Sequence, residues 1–301
     1  MKVLAVGAGV IGTVYGAHLA AAGHTVSVLR HPPRTDRVAA DGLRARDVVS
    51  GRYVHTPVRV VRTASADQYD LILVAVRADQ LKAACAQLTG LTGKPAVVLF
   101  GNNPGGRSTV GSVAGEFRQG FPGIGGVLRD GVAEYVRIQQ QPTALEAGSD
   151  PRLAALEQVL TSSGFAVQRV GDMDGWLVYH AAFVACVAAA LFRAGTDPGR
   201  LAADPGTLGL MCAAVTEAFS ALRRAGLAGL PVNLAVLHNP LLKPVAVRYW
   251  ARVMRSPKGE LYFAAHCRNA EAEMHALGED VCLRLSDSPR TSHLRQLLRV
   301  A

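Results

Sequence analysis

Short apolar runs alternate with longer helix-like stretches through the first hundred residues. Lys2 to Val6, Thr25 to Leu29, Leu71 to Val76 and Ala96 to Phe100 read as strands, and Ile11 to Ala22 and Gln80 to Leu88 as the helices between them. That order is the strand-helix-strand signature of a parallel sheet. Between Phe121 and Ala147 the pattern changes to short β-like pieces broken by Gly and Pro, which predicts a smaller, partly antiparallel extension of the sheet. Arg152 to Ser163 then reads as a helix and Phe165 to Val170 as a closing strand. From Gly175 the strand pattern stops, and Trp176 to Ala194, Thr207 to Ala225, Leu234 to Met254 and Glu260 to Leu285 all read as helices. The expected architecture is an α/β domain over residues 1–172 followed by an all-helical domain over 173–301. The boundary falls near Gly171 to Asp174, where a Gly and two acids precede an apolar helix.

Composition agrees with two packed cores. Half of the 301 residues are hydrophobic and 18% are charged, far from the composition of a disordered chain. The most apolar stretch, Ala181 to Phe192, is shorter than the roughly 20 residues a bilayer needs, so a buried helix is expected and no membrane partner. Met1 and Lys2 run directly into Val3 to Val6, and glycines then break the run, so no signal-peptide core is read and a cytoplasmic location is expected. The five cysteines are widely spaced among small residues, which fits reduced core thiols and neither a metal knuckle nor a disulfide framework. The net charge of +9 is scattered, with no accompanying nucleic-acid motif; it favours anionic small ligands.

One such ligand is indicated at the start of the chain. Gly7-Ala8-Gly9-Val10-Ile11-Gly12 follows the first strand and opens the first helix. Glycines there permit a tight turn and let a diphosphate approach the helix N-terminus, where backbone N–H groups bind it. Gly7, Gly9, Val10, Ile11 and Gly12 are therefore expected to hold a dinucleotide. NAD enzymes keep an acid at the end of the second strand, to bind the ribose hydroxyls. Here the residue is Arg30, with His31 and Arg34 close by. A guanidinium grips a 2′-phosphate bidentately, so the expected cofactor is NADP(H).

In this glycine run with Tyr15-Gly16, in Val74-Ala75-Val76-Arg77, in Asn102 after the strand Ala96 to Phe100, in the spacing to Trp176, and in the helix Met211 to Leu222 with Glu217 and Phe219, the chain resembles the ketopantoate reductase family. The resemblance implies an N-terminal Rossmann domain, a C-terminal helical domain for substrate binding and dimerisation, and a cleft in which NADPH delivers hydride to a 2-oxo acid. By that likeness Arg77, where the family usually has Lys, and Asn102 lie beside the cofactor, and Asn102 also positions the substrate.

The family's Lys lies two residues past the tryptophan, with Asn four and eight further on. Those positions hold Val178, Ala182 and Cys186, so the chain reads as a diverged member. A reductase must still protonate or stabilise the alkoxide left by hydride addition. The candidates are His180, roughly 200° around the helix from the lysine position, and Tyr179, about 100° away. His266, Asn269 and Glu273, at spacings of three and four, share one helix face, and could line the cleft or form a solvated face. The resemblance makes Glu273 the match for a Glu that binds the substrate's hydroxyl. Glu271 and His275 read as a surface pair. Three functions follow: carbonyl reduction, reduction of an imine that already carries its proton, and a non-catalytic NADP(H) sensor.

Overall fold

The computed structural model describes residues 1–29, 34–65, 68–89, 95–105, 117–285 and 290–298. It divides into two compact units, Met1–Met173 and Asp174–Ala301.

In the first unit the chain runs β1 (Lys2–Val6), α1 (Val10–Ala21), β2 (Thr25–Leu29), α2 (Arg34–Asp41), β3 (Leu43–Asp47), β4 (Tyr53–Thr56), β5 (Arg59–Val61), β6 (Ala64–Ser65), β7 (Leu71–Val74), α3 (Ala78–Ala86), β8 (Leu88–Thr89) and β9 (Ala96–Phe100). It continues through β10 (Phe117–Phe121), β11 (Ile124–Arg129), β12 (Val132–Arg137), β13 (Thr143–Glu146), α4 (Pro151–Ser162) and β14 (Val167–Val170). The main sheet has the order β14-β13-β10-β9-β7-β1-β2-β5, and every neighbouring pair is parallel except β10 with β13. Alternation along its strands divides the core. Val3, Ala5, Val28, Leu71, Leu73 and Val98 pack on one face, and Leu4, Val6, Leu29, Ile72, Val74 and Val97 on the other. The continuous apolar runs that made these strands visible are those of a sheet covered on both sides.

The expected extension of the sheet is only half right. β10 and β13 do extend it, but β11 and β12 pair with β3 and β4 in a separate four-stranded sheet, ordered β11-β12-β3-β4. The hairpin between β11 and β12 turns at Asp130-Gly131, both at positive φ, as a two-residue turn of this type requires. Helix α1 packs against this second sheet as well as against the first.

Tyr15 fixes α1 in that position. It is fully buried, stacked on Phe165 at 4.1 Å, and its hydroxyl lies 2.6 Å from Thr143 Oγ1 and accepts the Gly123 N–H at 3.2 Å. Burial pushes its phenol up to about 12, so it stays protonated. One turn on, His18 Nε2 is 2.8 Å from the Tyr135 hydroxyl. Tyr15→Phe leaves the Gly123 donor and the Thr143 hydroxyl without this partner, and is expected to cost about 1–3 kcal/mol in a urea titration followed by circular dichroism.

The second unit is helical: α5 (Met173–Arg193), α6 (Pro198–Ala202), α7 (Pro205–Arg224), α8 (Val232–Leu237), α9 (Lys243–Arg255), α10 (Ala265–Asn269), α11 (Glu271–Arg284) and α12 (Ser292–Leu298). Two of the expected long helices are broken. Leu234 to Met254 divides at Asn239-Pro240, where Asn239 is extended, as a residue before proline must be, and its side chain caps the Leu241 N–H at 3.0 Å. Glu260 to Leu285 begins as a π-helix, Gly259–Ala264, and kinks at Ala270, whose φ of −139° lies outside the helical range. Among the described residues two helices, α5 and α7, have the length and apolar composition of a membrane span; 89% of the apolar stretch of α5 and 56% of that of α7 are buried within the fold. The expected helix Trp176 to Ala194 is found as α5, Met173–Arg193, and its burial is that of a core element.

Candidate functional site

The centre of the main sheet is a switch point. From β1 the chain steps to β2 on one side, and β7 lies on the other, so connections leave the carboxyl ends of β1 and β7 in opposite directions and open a crevice there. Gly7 follows β1, Arg30 follows β2, Ala75 to Arg77 follow β7, and Gly101 and Asn102 follow β9. Among the described residues, the motifs that follow β1, β7 and β9 thus converge on the carboxyl ends of three adjacent strands.

Two glycines fix the shape of the turn. Gly7 has a φ of +108°, and a Cβ on it would stand 2.3 Å from the Ala75 carbonyl oxygen; one on Gly12 would stand 1.9 Å from the Gly7 oxygen. Neither position admits a side chain without opening the turn. The turn delivers the chain to α1 with Gly9 as N-cap, and Gly9 supplies no side chain to satisfy the first amides. The first backbone bond of the helix runs from the Thr13 N–H to the Gly9 carbonyl at 2.9 Å, so the amides of Val10, Ile11 and Gly12 lack intrahelical acceptors. No acid occupies the first turn. An uncapped, unopposed helix N-terminus behind a glycine cradle is suited to a phosphate group.

Arg77 is exposed at the N-cap of α3. Asn102 is half-buried, and its Oδ1 is buried with no hydrogen-bond partner among the described residues. A buried amide oxygen of that kind is costly unless a donor reaches it, and a carboxamide-bearing ligand at the strand ends is one source. Arg30 and His31 lie outside the described residues, as does the Arg34 side chain.

In the helical unit the proton-donor candidates fare differently from their sequence reading. His180 is buried and stacked on Trp176 at 4.9 Å with an 11° interplanar angle, and burial lowers its pKa to about 3. At neutral pH the ring is uncharged, so it does not serve as an imidazolium acid. A profile of kcat against pH is accordingly expected to show no ionisation near 6.5 from this ring. The Tyr179 hydroxyl donates to the Leu227 carbonyl at 2.9 Å, and its ring meets Phe219 edge-on at 5.5 Å, so the phenol ties α5 to the segment after α7. Val178, Ala182 and Cys186 are all buried, and burial raises the Cys186 thiol.

The kink at Ala270 separates His266 and Asn269 from Glu273, so the three do not form the single straight face their spacing suggested. His266 and Glu273 are half-buried and Asn269 is exposed. The Glu271–His275 pair does form, at 3.7 Å, with the His275 ring stacked on Phe192 at 4.7 Å. Glu217 proves to be a cap: its carboxylate accepts the Leu294 N–H at 3.0 Å at the start of α12 and meets His293 Nδ1 at 2.6 Å. Partners such as Thr143 for Tyr15 and Leu294 for Glu217 carried no sequence signal, being 128 and 77 residues away.

Residues 3–121 match the family model described as "Ketopantoate reductase PanE/ApbA". No curated protein matches the chain by sequence. Among solved structures, the chain is similar to a PanE/ApbA family ketopantoate reductase from Ralstonia eutropha JMP134, with 21% identity, a TM-score of 0.69, and 100% of this chain and 98% of that one covered. It is also similar to 2-dehydropantoate 2-reductase from Methylococcus capsulatus, with 20% identity, a TM-score of 0.72, and 100% and 95% covered. D-mandelate dehydrogenase, solved with NADH and anilino(oxo)acetate, shares 15% identity at a TM-score of 0.73, with 100% and 98% covered. The resemblance read from the residues is thus borne out over residues 3–121 by the family model, and the solved structures share the fold along the whole chain.

Proposed function

We propose that this chain, whose N-terminal segment carries the ketopantoate reductase signature, is an NADP(H)-dependent oxidoreductase that transfers hydride to the carbonyl of a small oxo acid or ketone. The observation that carries the reading is the glycine cradle at the switch point, with Gly7 and Gly12 packed against the Ala75 and Gly7 carbonyls and the α1 amides unopposed. In this reading Gly7, Gly9, Val10, Ile11 and Gly12 hold the diphosphate, and Arg30 pairs with a 2′-phosphate. Arg77 and Asn102 lie at the nicotinamide end, where the orphaned Asn102 Oδ1 accepts an amide N–H. When bound, the dihydronicotinamide supplies the hydride. The substrate is anionic or polar and small, and the enzyme works in the cytoplasm.

The 2′-phosphate assignment is tested by Arg30→Asp, which is expected to weaken NADPH binding by about tenfold or more while changing NADH binding little. Equal affinities for NADPH before and after the substitution would overturn it.

A second reading, imine reduction, is favoured by the chemistry of α5. Val178 and Ala182 have no proton to donate to an alkoxide, Cys186 offers a buried thiol in place of the family's amide, His180 is neutral and the Tyr179 hydroxyl is engaged by Leu227. An iminium ion brings its own proton and needs none of them. Steady-state oxidation of NADPH with matched panels of oxo acids, ketones and cyclic imines separates the two. His266, Asn269 and Glu273 are the remaining candidates for substrate contact, and single alanine variants that raise KM at unchanged kcat are the expected signature.

A further inference from the structure

A cavity of about 840 Å³ opens in the helical unit beside the start of α7, the first turns of α9 and helix α12. Its walls include Arg193, Lys243, Arg248, His293, Thr207 and Gln296, and no Asp or Glu is among the residues that line it. Lys243 and Arg248 are exposed and have no ion-pair partner among the described residues. Arg193 donates through one terminal nitrogen to the Gln296 carbonyl, while its Nε is buried without an acceptor among the described residues.

Two acids of α7, its N-cap Asp204 and Glu217, are already engaged. Asp204 caps α7, accepting the Thr207 N–H at 3.0 Å and its hydroxyl at 2.7 Å, and Glu217 faces His293. The helix end is therefore satisfied by the chain itself, and the attraction of the cavity rests on its side-chain cations. Three permanent positive charges in one concavity, with no Asp or Glu among the described residues of its lining, raise the local concentration of anions. The volume is that of a small-molecule site, and guanidinium forks match phosphate oxygens.

The cavity is also remote from the positions of the proton-donor candidates. Arg193 lies thirteen residues beyond His180 and fourteen beyond Tyr179 on one continuous helix, about 20 Å at the rise of an α-helix.

We propose that this cavity binds a small phosphate-bearing anion, separately from the dinucleotide site. The test is isothermal titration of the full chain with inorganic diphosphate. It compares the unmodified protein, the exposed-charge double variant Lys243→Glu/Arg248→Glu, and Gly12→Val, which disables the other phosphate cradle. Saturable binding that survives Gly12→Val and weakens about tenfold or more in the double variant is expected. Circular dichroism of the double variant should be unchanged, because both side chains are exposed. Absence of saturable binding at millimolar diphosphate, or binding lost in Gly12→Val and kept in the double variant, overturns the proposal.

Discussion

Gly12→Val is expected to abolish measurable NADPH binding, with a loss of at least about a hundredfold, or roughly 2.7 kcal/mol. The cause is local. A Cβ at residue 12 meets the Gly7 carbonyl oxygen at 1.9 Å, so the turn must open and the α1 amides move away from the point where the strands end. Opening the turn also strains the contact between Gly7 and Ala75, so some loss of thermal stability accompanies it. Val10→Glu separates the two effects. It adds an acid to the first turn of α1, which suits the helix dipole but repels a diphosphate. That variant should keep its circular dichroism spectrum and still lose NADPH affinity, measured by cofactor fluorescence. Retention of full affinity in both variants would remove the glycine turn from the binding site.

Acidification is expected to destabilise the helical unit well above the pH at which carboxylates titrate. His180 and His238 are both buried, and burial lowers their pKa values from 6.5 to about 3 and about 4. Above pH 6.5 the rings are neutral in folded and unfolded chains alike, and the native state bears no penalty. As pH falls from 6.5 towards 4, the unfolded chain takes up protons that the native rings refuse, and stability drops by about 1.4 kcal/mol per pH unit for each ring. The loss ends as the native rings protonate. Both tryptophans of the chain, Trp176 and Trp250, are buried in this unit, the first stacked on His180 and the second beside His238 at 6.2 Å. Tryptophan fluorescence in urea at neutral pH and at about pH 4.5 therefore reads the effect directly. A His238→Phe variant should show a shallower decline. A midpoint that does not move across this range would show that neither ring is held neutral.

The α/β order of the first unit was legible because a parallel sheet covered on both faces needs nearly continuous apolar strands, and β1, β7 and β9 have them, with only Ser27 interrupting β2. The second sheet was not. β3 carries Arg44, Arg46 and Asp47, and it joins β12 across 85 or more residues, a pairing that no local pattern announces. The helical unit was readable as helical, but its joints were not placed. Apolar periodicity ran on through Pro240 and Ala270, and only the extended backbone at Asn239 and the φ of −139° at Ala270 reveal the breaks. The same kink explains why the face formed by His266, Asn269 and Glu273 looked simpler in sequence than it is.

The glycine turn was fully legible, since positive φ and close carbonyl contacts leave glycine as the residue that fits. Proton donation was the least legible. A histidine titrates usefully only if water or charge reaches it, and that depends on packing against Trp176, which a single sequence does not display.

The central claim is hydride transfer, and its most direct test follows the hydride itself. The full chain is incubated with NADPH deuterated on one face of nicotinamide C4 and a panel of 2-oxo acids, ketones and imines, with products read by mass spectrometry. The proposed function requires deuterium in a product alcohol or amine from one face of the cofactor and not from the other. Tight NADPH binding with no deuterium in any product would contradict it and leave a nucleotide sensor in its place.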